Sequence, residues 1–259
     1  MTAPNISNPT HPAAAMNQVR LPRTAALGPG LGGQPRLLID APAGAAEIYL
    51  HGATLTSWVP RGGSEVIFTS RQAVFDGSTA IRGGIPLCLP EFGVGINGDA
   101  VPKHGWARIA PWQLRMVAST DDGGVRALLS VSRDHLTALY EVEIGETLRL
   151  GLSLRNDGNA PRTVEAAAHT YLSVHDVTAS LISGLAGASY SDNLAHSPQE
   201  AHRVQDGDVK ISGPVDRIYD SAEPVAVTDP GHERTIHVDK LNAPSTIVWN
   251  PWSTYSAPL

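Results

Sequence analysis

The residues best suited to chemistry in this chain lie between Ala80 and Trp112, in AIRGGIPLCLPEFGVGINGDAVPKHGWARIAPW. Arg82, His104 and Arg108 stand there among Gly83, Gly84, Gly93, Gly95, Gly98 and Gly105, with Pro86, Pro90 and Pro102 interspersed. The glycines permit backbone that regular elements cannot hold, and the prolines stiffen it, so the segment reads as an ordered loop. A loop of that kind is where a sugar or phosphate site would be built. The structural alternative is a crossover whose charges are merely solvated. Three chemistries compete. A serine hydrolase would want a Gly-flanked elbow, and no G-x-S-x-G occurs. A metal centre would want clustered ligands, and neither His169 with His175 nor His196 with His202 belongs to a ligand motif, so no metal is expected. The third is acid/base chemistry on a polar substrate with arginines gripping an anionic group, and it fits His104, His169, Asp216, Arg82 and Arg108.

The elements that must position these residues are strands. Leu148, Leu150, Leu152 and Leu154 alternate with Arg149, Gly151, Ser153 and Arg155, the pattern of a half-buried strand. Tyr140, Val142 and Ile144 alternate with Glu141 and Glu143 just before it, and the runs meet at Gly145-Glu146, which predicts a hairpin. Further strands are expected at 46–50, 55–60, 65–69, 112–118, 125–132, 163–174, 209–212, 234–239 and 246–250, separated by turn signals such as Asn156-Asp157-Gly158 and Asp229-Pro230-Gly231. Amphipathic helices are scarce, so the expected fold is all-β and antiparallel, a sandwich rather than a barrel. Within 164–174, Glu165, Ala167, His169, Tyr171 and Ser173 share one face while Val164, Ala166, Ala168, Leu172 and Val174 take the other. His169 therefore stands on a mixed polar face beside Tyr171, where a hydrogen-bonded structural role competes with a catalytic one.

Composition narrows the function classes. The 259 residues, 42% hydrophobic and 17% charged, suit a soluble globular chain with a sizeable core. A net charge of −6 argues against a nucleic-acid surface. A single cysteine excludes a disulfide framework, and Cys88, set between Leu87 and Leu89, reads as a small core residue. Residues 1–25 show neither a signal peptide nor a membrane anchor, and no apolar run is long enough to span a bilayer, so a cytoplasmic location and no membrane partner are expected. The Ala/Pro/Asn bias there predicts a disordered or loosely packed tail over 1–30, followed by one domain over 31–259.

Six segments in order carry a family resemblance: HGATLTSWVP (51–60), SRQAVFDGSTAIRGGIPLCLPEFG (70–93), PKHGWARIAPW (102–112), EAAAHTYLSV (165–174), VDRIY (215–219) and VWNPW (248–252). Over about residues 36–252 the chain resembles the aldose 1-epimerase superfamily, in its glucose-6-phosphate 1-epimerase (hexose-6-phosphate mutarotase) branch. The resemblance implies a large antiparallel β-sandwich of the galactose-mutarotase type, with the sugar across a concave sheet face. It implies that His169 is the general acid at the ring oxygen, that His104 hydrogen-bonds near the anomeric centre, and that Asp216 holds a sugar hydroxyl. Arg82 and Arg108 would grip a 6-phosphate as planar forks. The reaction opens and recloses the ring by proton transfer alone, so no cofactor is implied, and the expected partner is a hexose 6-phosphate bound by a monomer. Asp216 capping a turn and Arg108 pairing with a carboxylate are the structural alternatives.

Two departures from the family pattern stand out. The family's general base is a glutamate beyond the VWNP motif, and no glutamate follows Glu233 here, so the expectation is a chain lacking its C-terminal strands and that base. A non-catalytic sugar-phosphate-binding protein is then the alternative to an enzyme, and Glu91 or Asp176 are the carboxylates that could replace the base. Glu91 itself stands where the family has Gln or Trp, and a carboxylate beside the anion grip would oppose it unless it faces away.

Overall fold

The computed structural model describes residues 19–253, which fall into two compact units divided between residues 172 and 173. Much of the expected 1–30 tail lies outside the described residues, but Ala25–Pro29 within it form strand β1. This strand pairs along its whole length with β2 (Pro35–Ala41), which carries Leu37 and Ile39 into the core on one face. The sheet continues through β3 (Gly44–Tyr49) to β4 (Thr54–Pro60), all antiparallel. No helix among the described residues is long and apolar enough to cross a membrane.

A second sheet of the first unit is a four-stranded meander. Its strands are β6 (Gln113–Ser119), β7 (Val125–Arg133), β8 (Leu136–Ile144) and β9 (Leu148–Asn156). The hairpin read from the leucine alternation is present, with Ile144 opposite Leu148 and Tyr140 opposite Leu152. Period-two patterning succeeds here because one face of β8, Leu136, Ala138, Tyr140, Val142 and Ile144, is wholly buried while its other face is polar or exposed.

The expected strand at 163–174 is regular over two residues only. Ala167–Ala168 (β10) pairs with Leu87–Cys88 (β5). The same antiparallel register nevertheless runs further, since the N–H groups of Glu165, His169 and Tyr171 donate to the carbonyls of Pro90, Pro86 and Gly84 at 2.9, 3.0 and 2.9 Å. Pro86 and Pro90 have no N–H to return, so the ladder is one-sided at those pairs. The expected strand at 65–69 is likewise reduced to bridges, Ile67 with Leu172 and Thr69 with Gly83.

The second unit holds two four-stranded antiparallel sheets, ordered β14-β11-β16-β17 and β13-β12-β15-β18. The first comprises Val209–Lys210 (β14), Leu181–Ser183 (β11), Val225–Asp229 (β16) and Arg234–Val238 (β17). The second comprises His202–Val204 (β13), Ser189–Asp192 (β12), Val215–Tyr219 (β15) and Thr246–Asn250 (β18). Leu185, Tyr190, Val209, Ile211, Val215, Tyr219, Val225 and Val248 form its core.

Candidate active site

Arg82, His104, Arg108 and His169 all belong to the first unit, and two extended segments position them. The one-sided ladder sets His169 and Tyr171 on the same face, as their spacing predicts, and their rings stack with centroids 4.7 Å apart at 21°. His104 comes from the other side, its ring 6.4 Å from His169 and nearly perpendicular to it.

His104 is held in a left-handed conformation (φ 66°), which costs a non-glycine residue about 1–2 kcal/mol and persists only where neighbours enforce it. Its backbone N–H donates to Gly93 (2.6 Å), and its carbonyl accepts from Leu89 (3.3 Å). Gly105 follows at φ 70°, and any Cβ there would run into the Leu89 carbonyl. The imidazole is fixed as well. Gly93 N–H donates to Nδ1 (3.1 Å), and the Cys88 Sγ lies 3.5 Å from the same nitrogen. A nitrogen that accepts cannot carry the proton, so the neutral ring is the Nε2–H tautomer, a hydrogen-bond donor at its other end. Burial, together with the positive charges of Arg108, His169 and Lys103, lowers the His104 pKa to about 4. The ring is therefore neutral at pH 7. Cys88 moves the other way: burial raises its thiol to about 11, which keeps it protonated and a weak donor.

Both arginines act electrostatically on Tyr171. Arg108 sits in the short 3-10 turn Ala107–Ile109 and donates through Nη2 to the Lys103 carbonyl at 2.7 Å. Its Nε is buried with no acceptor among the described residues, and no carboxylate lies within ion-pair distance of it there. Arg82 is exposed, with its backbone carbonyl accepting from Ser70 at 3.0 Å. Burial raises the Tyr171 pKa, while the charges of both Arg82 and Arg108 act to lower it, which places both guanidinium groups within electrostatic reach of the His169–Tyr171 stack. Glu91, half-buried, is not among the charges acting on His104 or Tyr171.

Asp216 lies in the second unit, inside β15 opposite Trp249, and its Oδ1 accepts from Asn193 Nδ2 at 3.0 Å. Asp176 is committed to a turn, accepting from both the N–H and the hydroxyl of Thr178 at 2.8 Å. Among the described residues no group of three or more His, Cys, Asp or Glu side chains could hold a metal ion. Sequence reasoning overlooked the link from Cys88 and Gly93 to His104. Cys88 faces Ala167 in the ladder, two residues from His169, but that pairing joins positions 79 apart in the chain and leaves no local signal.

A family model described as aldose 1-epimerase matches residues 35–257. The chain belongs to the aldose 1-epimerase family. Two relatives carry the name "Putative glucose-6-phosphate 1-epimerase". One, from Cenchrus ciliaris, is 32% identical over 80% of this chain and 67% of its own length; the other, from Salmonella typhimurium, is 29% identical over 83% and 74%. The crystal structure of a "putative mutarotase (YeaD)" from Salmonella typhimurium superposes with a TM-score of 0.83 at 27% identity, covering 93% of this chain and 81% of that one. A galactose mutarotase-like protein from Clostridium acetobutylicum, 11% identical, shares the fold with a TM-score of 0.70 over 87% of this chain and 83% of its own. The all-β antiparallel sandwich expected from the sequence is thus the galactose-mutarotase-like fold, and the family reaction is the interconversion of sugar anomers.

Proposed function

We propose that this aldose 1-epimerase acts on a hexose 6-phosphate, with glucose 6-phosphate the first substrate to test. The observation that carries this reading is the charge around the two histidines. Arg82 and Arg108 act together on Tyr171, Arg108, His169 and Lys103 act on His104, and no carboxylate is among the charges acting on either ring. A neutral sugar gives no reason to gather two arginines and a lysine around the His104 and Tyr171 rings; a phosphate dianion does. The buried, acceptor-less Nε of Arg108 supports the same reading, because an unmet buried donor costs about 1–3 kcal/mol until an oxygen meets it.

In this mechanism His169 protonates the ring oxygen as a water molecule takes the proton from the C1 hydroxyl and passes it to solvent. The C1–O5 bond breaks to give the open aldehyde, the C1–C2 bond rotates, and the reverse transfers close the other anomer. His104, neutral with its proton on Nε2, donates a hydrogen bond near the anomeric centre without competing for protons. The Tyr171 ring, stacked on His169, keeps the acid's plane fixed. The test is the α-to-β exchange rate of glucose 6-phosphate by NMR, read above the spontaneous rate. Acceleration that is lost in His169→Ala, together with a KM raised by Arg108→Ala for the phosphorylated sugar and not for glucose, is the expected result. Equal effects of Arg108→Ala on both sugars would refute the phosphate reading. Binding of glucose 6-phosphate without acceleration by a folded sample would leave a sugar-phosphate-binding protein instead.

A further inference from the structure

We infer that His51 is a positioning residue of the anion grip, whose ring ties the segment bearing Arg82 to the turn bearing Arg108; this rests on the phosphate reading above. His51 opens the turn between β3 and β4 and is only 5% exposed. On one side its backbone bridges Pro111, and Gly52 N–H donates to the Ala110 carbonyl at 2.8 Å. Gly52 has φ 69° and packs so close to the Arg108 carbonyl that a Cβ would collide with it. The turn is thus docked on the backbone that follows Arg108. On the other side the ring's Nε2 lies 2.7 Å from the Thr79 carbonyl, three residues before Arg82. A carbonyl only accepts, so Nε2 carries the proton and His51 is the donor.

Arg82 needs that second tether. Downstream of it the backbone is paired: the Arg82 carbonyl accepts from Ser70, and Gly84 N–H donates to Phe68 at 2.7 Å. Upstream, the loop 76–79 is a local turn in which the Asp76 carboxylate accepts from the N–H groups of Ser78 and Thr79 at 2.8 and 2.9 Å. That turn is exposed and meets the core at two points, the Phe75 ring against the buried Tyr49 before it and Thr79 at the His51 ring, the nearer of the two to Arg82. One buried imidazole thus links the segment carrying Arg82 directly to the turn docked beside Arg108, and through that link it helps set how far apart the two guanidinium groups are carried. An anion held by two forks is sensitive to that spacing, because both must present their N–H pairs to the same phosphate.

The experiment measures glucose 6-phosphate affinity by calorimetry on the intact chain, with melting temperature read in parallel. The variants are His51→Gln, His51→Asn, Arg82→Ala, Arg108→Ala and the double variant His51→Asn/Arg82→Ala. Gln retains an N–H donor at about the imidazole's reach, whereas Asn is too short. His51→Asn should weaken affinity about two- to tenfold, the size of one hydrogen bond's net contribution, while His51→Gln recovers most of it. With Arg82 already removed, His51→Asn should change affinity by less than about twofold, because the group it positions is gone. An equal loss in both backgrounds would overturn the inference and leave His51 a plain structural residue, as would unchanged affinity in His51→Asn. If Arg82→Ala and Arg108→Ala themselves leave affinity unchanged, the phosphate reading fails first and the inference falls with it. Should His51→Asn not fold, His51→Gln decides: near-native affinity supports the donor role, and a tenfold loss in a folded sample refutes it.

Discussion

Replacing Gly105 by alanine tests whether His104 is held by a rigid backbone. Gly105 has φ 70°, and a Cβ there would meet the Leu89 carbonyl at once and stand 2.7 Å from the Pro90 nitrogen. Alanine in the left-handed region costs about 1–2 kcal/mol. Displacing packed backbone adds about 1–3 kcal/mol, since Leu89 cannot yield freely: its carbonyl accepts from Ala107 N–H at 3.0 Å and its N–H donates to His104. The total expected is about 2–5 kcal/mol, or about 4–20 °C in the melting of the first unit at about 2–4 °C per kcal/mol for a chain of this size. Gly98→Ala is the matched control: φ is 77° and nothing lies within 4 Å, so only the conformational part should be lost. Thermal and denaturant unfolding of the two variants give the difference directly, and Gly105→Ala should also weaken glucose 6-phosphate binding. If both variants lose stability equally within about 0.5 kcal/mol, the Leu89 carbonyl moves aside freely and the rigid-loop account of His104 is wrong.

Three further outcomes follow from groups drawn wholly or partly out of water. His104, with its pKa lowered to about 4 in the folded state, should keep constant imidazole shifts in NMR from pH 8 to about 5.5; its folded value lies below the unfolded one, so its stability contribution is intact above about 6.5 and declines as pH falls toward 4. A transition near 6.5 would contradict the half-buried, cation-flanked setting. Tyr140→Phe should leave stability unchanged or raise it by up to about 1 kcal/mol, because its hydroxyl is buried with no partner among the described residues, and a clear loss would mean the hydroxyl is bonded. Asp229→Asn should cost about 3–5 kcal/mol in the second unit. That carboxylate is fully buried, accepting from His232 Nδ1 at 2.7 Å, the His175 N–H at 3.1 Å and Arg234 Nε at 3.3 Å. Burial raises its pKa but these bonds outweigh burial and hold it below the usual value, so its contribution is present at neutral pH and lost as pH falls below about 4. Chemical unfolding at pH 7 measures the cost, and a loss under about 1 kcal/mol would show that the cluster is solvated.

Alternation alone determined the elements whose two faces meet different environments: β8 and β9 are where Tyr140 to Leu154 predict them, and β18 spans the expected 246–250. Face assignment also survived where regular structure did not. His169 and Tyr171 share a side because side chains alternate along any extended backbone, even one whose ladder is broken by Pro86 and Pro90. The six ordered motifs determined the family. Short strands such as β11, β12 and β13 escaped notice because three or four residues carry too little pattern to detect. The state of the site was decided only in three dimensions. Nothing local to His104 says that Gly93 and Cys88 meet its Nδ1 or that burial leaves it neutral, and nothing local to His51 says that its ring reaches Thr79 across 28 positions. Tautomer, charge and spacing depend on which groups lie within a few ångströms, and that neighbourhood is assembled by the register between segments rather than by any one of them.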